Sequence, residues 1–230
     1  MKRASAMVVG MGMIAGLMAV WLIPASGKER PAPLGRIYTW DFQTDTLGIK
    51  PTHATVFGGT WEVAEDSALG SAPDSVPAAS KRIVRQTQED DGIAFHYLRF
   101  TRPLTEDLDA SVRFRIRAGE LDPTAGILFQ LDPKGTSGYL VRVSGKSSEI
   151  QFHYLLYGKR RDVRYAKVPP IEPNTWHTLS VTRRRSVLRA SLDGREVLMA
   201  RDDRFMKGNV GLWTEDDTKV DFAELRVVAR

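Results

Sequence analysis

From residue 37 onward, hydrophobic and polar residues alternate along the chain with a period of two. In the segment 111–117 (SVRFRIR), Val112, Phe114 and Ile116 fall on one face of an extended chain, and a serine and three arginines fall on the other. This alternation is typical of a half-buried strand, because a helix would scatter the same residues around its axis. Comparable runs predict strands at 37–42, 60–63, 81–87, 96–100, 111–117, 126–131, 139–143, 150–157, 163–168, 177–182, 187–192, 196–200, 210–214 and 220–228.

The turns and the absence of helical periodicity indicate an all-β class. After residue 27, no stretch of ten or more residues shows an apolar stripe at helical spacing. Asp193-Gly194 lies between two alternating runs and predicts a two-residue type I′ hairpin. About a dozen short strands are too many to form a single stable flat sheet. We therefore expect two antiparallel sheets packed face to face as a sandwich. The segment 64–80 is predicted to be a long loop, either mobile or part of a binding edge.

The first 27 residues have the pattern of an export segment. Lys2 and Arg3 precede an apolar stretch at 4–24, and Ala25-Ser26-Gly27 offers a small-residue cleavage site. The stretch is also long enough to remain as an N-terminal membrane anchor, so both alternatives stay open. We therefore expect a signal peptide or anchor at 1–27, a linker at 28–36 and one β-sandwich domain at 37–230. The domain is expected to be periplasmic or extracellular.

Charge and cysteine content narrow the classes of function. The 33 Lys and Arg against 28 Asp and Glu give a formal net charge of +5, and losing Lys2 and Arg3 with the export segment leaves +3. This charge is too small to indicate a nucleic-acid partner. The chain contains no cysteine, so it has neither a disulfide nor a lipidation site of the lipoprotein type. The exported part must be stabilised by its hydrophobic core.

Eight short fragments occur in an order that resembles bacterial concanavalin A-like domains, also called laminin G-like or jelly-roll domains. Within that superfamily the chain most resembles the 3-keto-disaccharide hydrolase domain group. The resemblance implies a curved two-sheet jelly roll whose first and last strands pair, and a function among lectins, glycosidases and adhesion modules. The fragments are 82–87 (RIVRQT), 108–114 (LDASVRF), 126–129 (GILF), 138–143 (GYLVRV), 176–179 (WHTL), 192–194 (LDG), 208–214 (GNVGLWT) and 221–225 (DFAEL).

The sequence does not identify catalytic residues. Laminarinase-type relatives carry carboxylates in an E-x-D-x-x-E pattern along one strand, whereas the nearest candidate here, 106–109 (EDLD), precedes a strand. There is no G-x-S-x-G motif, and the four histidines are isolated from one another along the chain. The sequence therefore favours a binding protein over an enzyme. A glycoside hydrolase acting on 3-keto-disaccharides or other disaccharides is the alternative.

Polar side chains on the predicted strands offer a carbohydrate-binding surface instead. If the apolar residues of each strand face the core, the same alternation exposes planar hydrogen-bonding groups. The arginines favour carboxylated or sulfated glycans, because guanidinium groups bind such anions through paired hydrogen bonds. An ordinary solvated face is the alternative, and Gln130 departs from the family, which often has arginine there. The candidate binding residues are Arg115, Gln130, Arg142, Gln151 and His153.

Two further features concern metal and the C-terminal tail. Asp41, near the end of the first strand, and Asp221, on the last, are candidate ligands for a structural calcium ion; no cofactor is otherwise required. The acidic segment 215–219 is predicted to be a hairpin turn that closes the fold, with Trp213 at a sheet margin.

The function expected is an exported protein that binds or processes glycans, with binding preferred. A structural interaction module, attached to a membrane through residues 4–24, is a further alternative.

Overall fold

A computed structural model describes residues 35–66 and 82–230, and in these ranges every element of regular structure is a β-strand. The predicted all-β class is therefore confirmed. The export segment 1–27, nearly all of the linker 28–36 and most of the predicted loop 64–80 lie outside the described residues. The strands are β1 (Arg36–Trp40), β2 (Ala54–Gly58), β3 (Trp61–Glu65), β4 (Arg82–Gln86), β5 (Phe95–Phe100), β6 (Leu108–Ala118), β7 (Thr124–Leu131), β8 (Gly138–Ser144), β9 (Glu149–Leu156), β10 (Lys159–Lys167), β11 (His177–Arg184), β12 (Val187–Leu192), β13 (Arg195–Arg201), β14 (Asn209–Glu215) and β15 (Lys219–Ala229).

The strands form two antiparallel sheets that enclose the main hydrophobic core. The eight-stranded sheet has the order β13-β12-β11-β6-β15-β4-β3, and β1 also pairs with β15. The seven-stranded sheet has the order β10-β9-β8-β7-β14-β5-β2. Pairing of the first and last strands, which the family resemblance implied, is present from Arg36↔Ala229 to Trp40↔Leu225. The predicted two-sheet sandwich is confirmed.

Alternation along the strands determines which residues enter the core. On β6, Val112, Phe114 and Ile116 are buried in the core cluster, as the sequence pattern predicted. The hairpin at 193–194 also agrees with its prediction, because Asp193 and Gly194 have φ angles of 50° and 80° and a type I′ turn needs both to be positive. β2 is an additional strand that no run of alternation predicts: it is a short edge strand of mostly half-buried residues.

No helix that could span a membrane is found in the part of the chain that the structure describes. Residues 4–24, the proposed anchor, fall outside that part, so membrane attachment remains an expectation from sequence.

Candidate functional site

The outer face of the seven-stranded sheet, which points away from the core, brings polar side chains from several strands together. Register pairs Gly126 with Arg142, Arg142 with Gln151, and Gln151 with Tyr165, which places β7, β8, β9 and β10 side by side in one row. Gly126 lacks a side chain, and a Cβ there would lie only 3.1 Å from the Cβ of Arg142. This gap lets the Arg142 side chain lie across β7 toward β14.

Arg142 is the centre of a buried polar network. Arg142 is only 4% exposed. One nitrogen, Nη1, donates to Glu215 on β14 and also to Oδ2 of Asp122, 3.0 Å away. Asp122 in turn accepts a hydrogen bond from Ser144 at 2.6 Å. The Nε of Arg142 donates to Nε2 of His153 at 3.3 Å. Arg142 therefore fixes the relative positions of β14, β9 and the loop that precedes β7.

A second arginine, Arg160 on β10, reaches the same Glu215 from the far edge of the sheet. Three strands lie between β10 and β14, so in a flat sheet these strands would be about 19 Å apart. That separation exceeds the combined reach of an arginine and a glutamate side chain. The sheet must therefore curve toward its outer face, and a β-bulge between Asp162 and Arg164 contributes to that bend.

The partners of His153 define its protonation. Its Nδ1 lies 2.8 Å from Oδ1 of Asp162, which can only accept, so Nδ1 carries the proton. Nε2 lies 3.3 Å from Nε of Arg142 and 3.2 Å from Oε1 of Gln151; since the arginine nitrogen can only donate, we assign Nε2 as an acceptor without a proton. Burial, together with the nearby charges of Arg142 and Arg160, lowers the pKa of His153 from 6.5 to about 4. The imidazole is neutral at pH 7 and acts as a hydrogen-bond bridge between Asp162 and Arg142.

This low pKa predicts a pH-dependent stability. The unfolded chain protonates His153 near pH 6.5, whereas the native protein does so only near pH 4. The free energy of unfolding should therefore fall as the pH is lowered from about 6.5 to 4, by roughly 3 kcal/mol from this group, and then level off. Urea unfolding at stepped pH, compared with the His153→Gln variant, measures the contribution. Identical pH dependence in the two proteins would contradict it.

These side chains surround a cavity of about 390 Å3 on the outer face. Its polar floor comes from β8 and β9, and its far wall comes from the edge strand β10. Tyr165 forms part of that wall and is 69% exposed, so one face of its ring is open to solvent. The lining residues are Arg142, Gln151, His153, Arg160, Asp162, Val163, Arg164 and Tyr165.

The structure brings together three of the five candidate binding residues, namely Arg142, Gln151 and His153. Arg115 is separate, because β6 belongs to the eight-stranded sheet. There it contacts Oδ2 of Asp66 at 2.9 Å and of Asp221 at 2.6 Å, and its guanidinium carbon lies 4.7 Å from the centre of the Trp176 ring. The prediction that Arg115 shares a face with Arg142 is wrong, and its contacts indicate a structural role.

Gln130 is also not on the predicted face. It is buried, has a φ of 46°, and donates to the carbonyl oxygen of Glu106 at 3.0 Å. The register between β7 and β14 shifts next to it, between Asn209 and Gly211. A bulge of this kind interrupts the alternation of faces, so extrapolating the pattern from Leu128 past this point misplaces Gln130.

The candidate calcium site between Asp41 and Asp221 is not formed. Trp40, the last residue of β1, pairs with Leu225 on β15. Asp221 is four residues away from Leu225 along β15, beyond the point where β1 ends. Asp221 is fully buried, and it accepts from Nε of Arg85 at 2.8 Å as well as from Arg115. Its carboxylate is thus occupied by guanidinium groups. Across the described ranges, no group of three or more His, Asp and Glu side chains could hold a metal ion.

Sequence reasoning missed Glu215, Asp122 and Arg160. Glu215 belongs to the acidic segment 215–219 that was assigned to a turn, but it is the last residue of β14 and is 2% exposed. The turn prediction holds for the next residues, since Asp216 and Asp217 accept from the backbone nitrogens of Ala94 and Glu120. The alternation Gly211, Trp213, Glu215 in the sequence was the signal that Glu215 shares a face with Trp213.

Trp213 lies beside this network, and the prediction that it sits at a sheet margin is wrong. It is fully buried on β14, with β7 on one side and β5 on the other. Its ring packs in a second hydrophobic cluster with Leu128 and Leu140, on the outer face of the sheet. This cluster forms the apolar base of the face that carries the cavity.

Comparison with known proteins identifies the fold. No family model and no curated protein sequence matches the chain. Among solved structures, the carbohydrate-binding module CBM66 from Bacillus subtilis is similar with a TM-score of 0.63 and 20% identity, covering 77% of this chain and 96% of that one. The Bacillus licheniformis β-glucanase is similar with a TM-score of 0.56 and 13% identity, covering 85% and 99%. The exoplasmic/lumenal domain of VIP36 in its Ca2+/Man3GlcNAc-bound form is similar with a TM-score of 0.52 and 12% identity, covering 74% and 83%. The chain has the β-sandwich fold of concanavalin A-like proteins.

Proposed function

We propose that this protein binds acidic glycans in the cavity on the outer face of the seven-stranded sheet. The observation that carries the proposal is an excess of hydrogen-bond donors there. Arg142 and Arg160 carry their guanidinium groups on this face, and the lining includes one carboxylate, Asp162. Arg142 bonds through Nη1 and Nε and Arg160 through Nη1, so Nη2 of Arg142 and both Nη2 and Nε of Arg160 have no hydrogen bond to the described residues. A ligand that supplies carboxylate or sulfate oxygens would satisfy these donors.

The electrostatics of the buried Arg142 and the half-buried Arg160 support an anionic ligand. Burial lowers the pKa of Arg142, and the positive charge of Arg160 lowers it further. Burial also lowers the pKa of Arg160. Both shifts mean that the charged guanidinium groups are less stable here than in water. A bound anion would offset this cost, so it should bind more tightly than a neutral ligand of the same shape.

The chemistry of the wall supports a sugar as the body of that ligand. The open face of Tyr165 suits the apolar face of a pyranose ring, and the amide of Gln151 can bond hydroxyl groups. The fold is consistent with this proposal, because a carbohydrate-binding module and a glycan-bound lumenal domain share it. A shared fold does not establish a function, so the proposal depends on the residues that line the cavity.

Binding without hydrolysis is proposed because the carboxylates behind the cavity are engaged. Glycoside hydrolysis needs a protonated carboxyl group beside the scissile oxygen and a second free carboxylate. Both oxygens of Glu215 contact arginines, and the two oxygens of Asp122 contact Arg142 and Ser144. Asp162 is the one carboxylate that lines the cavity itself, and hydrolysis needs a pair of carboxyl groups. The hydrolase function implied by the resemblance to 3-keto-disaccharide hydrolase domains therefore becomes an outcome of the test below.

We further propose that the domain acts outside the cytoplasm, since residues 1–27 have the pattern of an export segment. Acidic polysaccharides are abundant at cell surfaces and in their surroundings, so this location agrees with the proposed ligand.

Calorimetric titration with acidic and neutral oligosaccharides tests the function. We expect oligogalacturonate or a heparin-derived oligosaccharide to bind, and maltooligosaccharides of equal length to bind at least tenfold more weakly. Arg160→Gln should weaken binding of the acidic sugar about tenfold, which corresponds to the loss of one charge-assisted hydrogen bond. Arg161→Gln is the matched control, because Arg161 is the next residue on the same strand and carries the same charge but does not line the cavity.

Two results would overturn the proposal. The first is that neither acidic sugar binds, or that Arg161→Gln weakens binding as much as Arg160→Gln. The second is release of smaller sugars during incubation, measured by chromatography in parallel, which would establish hydrolysis in place of simple binding.

A further inference from the structure

Arg160 crosses the outer face of the seven-stranded sheet. Its guanidinium contacts Glu215 on β14, and its Cζ lies 5.4 Å from the centre of the Phe95 ring on β5. β10 is one edge of this sheet, and β5 is next to the opposite edge. One side chain thus bridges the curved face from the β10 edge to the strands on its far side.

The bridge lies over a closed apolar surface. Trp213, Leu128 and Leu140 point to this outer face and yet are fully buried. Phe95 and Tyr97 pack against them, with ring centroids 4.7 Å and 5.2 Å from that of Trp213. An extended glycan could not lie across these strands without first displacing Arg160.

A second connection holds the β9–β10 hairpin over the sheet. At the hairpin tip, the backbone nitrogen of Gly158 donates to the carbonyl oxygen of Thr136 at 2.8 Å. The loop that contains Thr136 is fixed in turn by Tyr97, whose hydroxyl donates to the carbonyl oxygen of Gly135 at 3.0 Å. The hairpin that carries Arg160 is therefore attached to β5 through both its side chain and its tip.

We infer that Arg160 turns this face from an open groove into a pocket with one closed side, so that the site binds the end of an acidic glycan chain and not its interior. The inference rests on the proposed function. Tyr165 lies further along β10 than Arg160, at the other end of the pocket, and this end is exposed because Tyr165 itself is 69% exposed. A terminal acidic sugar enters from that end, and the rest of its chain extends into solvent past β10.

The stoichiometry of binding to chains of increasing length distinguishes chain ends from chain interiors. We expect di-, hexa- and dodecagalacturonate, or heparin-derived fragments of the same lengths, each to bind a single protein molecule per chain with affinities within about threefold of one another. Binding along the interior would instead place several protein molecules on the longest chain, because a longer chain offers more internal sites. Calorimetry and analytical ultracentrifugation measure the number bound.

A matched pair of variants tests the role of Arg160. Arg160→Gln and Arg161→Gln remove the same charge from neighbouring positions on β10, but of the two only Arg160 lies on the outer face and contacts strands on its far side. We expect Arg160→Gln to weaken binding of the shortest sugar about tenfold and Arg161→Gln to change it less than about twofold. Only Arg160→Gln should allow more than one protein molecule to bind the longest chain, since it alone opens the groove.

The outcomes separate this inference from the proposed function. If no acidic probe binds the wild-type protein, the proposed function fails and the inference fails with it. If acidic probes bind but the number of wild-type molecules per chain rises with length, the inference alone is overturned. A single molecule per chain in both variants overturns the assignment to Arg160. Should Arg160→Gln not fold, as judged by thermal melting, the wild-type length series still decides between chain ends and interiors.

Discussion

Replacing Asp221 with alanine should lower the free energy of unfolding by about 3 to 5 kcal/mol, because removing one partner of a buried ion pair leaves the other charge uncompensated. Asp221 is fully buried and contacts Arg85 and Arg115, with Nε of Arg117 3.9 Å away. The hydrogen bond to Asp221 raises the pKa of Arg85, which shows that the two groups stabilise each other, and an arginine stays charged when that partner is removed. Urea unfolding of Asp221→Ala against wild type measures the loss.

The control for this prediction is Glu196→Ala, which breaks an ion pair of similar length on the surface. The side chains of Arg189 and Glu196 are 45% and 48% exposed, so losing their contact should cost less than about 1 kcal/mol. Equal losses in the two variants would contradict the anchoring role of Asp221. Since its carboxylate binds guanidinium groups, the melting temperature of the wild type should not differ between excess chelator and millimolar calcium.

The fold was predictable because the signals that determine it are local. Alternation on β6, the Asp193-Gly194 turn and the lack of helical periodicity each depend on a few neighbouring residues, and all three lead to an antiparallel sandwich. Pairing of β1 with β15 joins segments at opposite ends of the domain, and it followed only from the family resemblance. A single sequence does not contain that pairing in its local pattern.

The candidate site was predictable only in part, because alternation assigns a face within a strand but does not say which sheet the strand joins. Arg142, Gln151 and His153 were grouped correctly, since β8 and β9 are neighbours joined by a short hairpin. Arg115 was grouped with them on the same evidence, although β6 belongs to the other sheet. Arg160 enters the site through curvature of the sheet, which no short segment of sequence specifies.

Curvature also changes what a polar residue on an outer face can do. On a flat solvated face, Arg142 would be exposed, and its loss would affect a ligand without affecting stability. On this curved face it is 4% exposed and bonded to Glu215, Asp122 and His153. Binding and folding are therefore coupled through the same side chain.

Arg142→Ala should consequently reduce both stability and binding. Removing the guanidinium leaves His153 Nε2 without its arginine donor and leaves Glu215 with Arg160 as its remaining ion-pair partner, so we expect a loss of about 2 to 4 kcal/mol in the free energy of unfolding. Binding of an acidic oligosaccharide should fall more than tenfold, because a donor at the floor of the cavity is lost and its neighbours lose their fixed positions. Tyr165→Ala provides the contrast: it should weaken binding and leave the melting temperature unchanged, since Tyr165 lines the cavity and is 69% exposed. If Arg142→Ala melts like the wild type, the network does not hold the face together, and Arg142 would then act on the ligand alone.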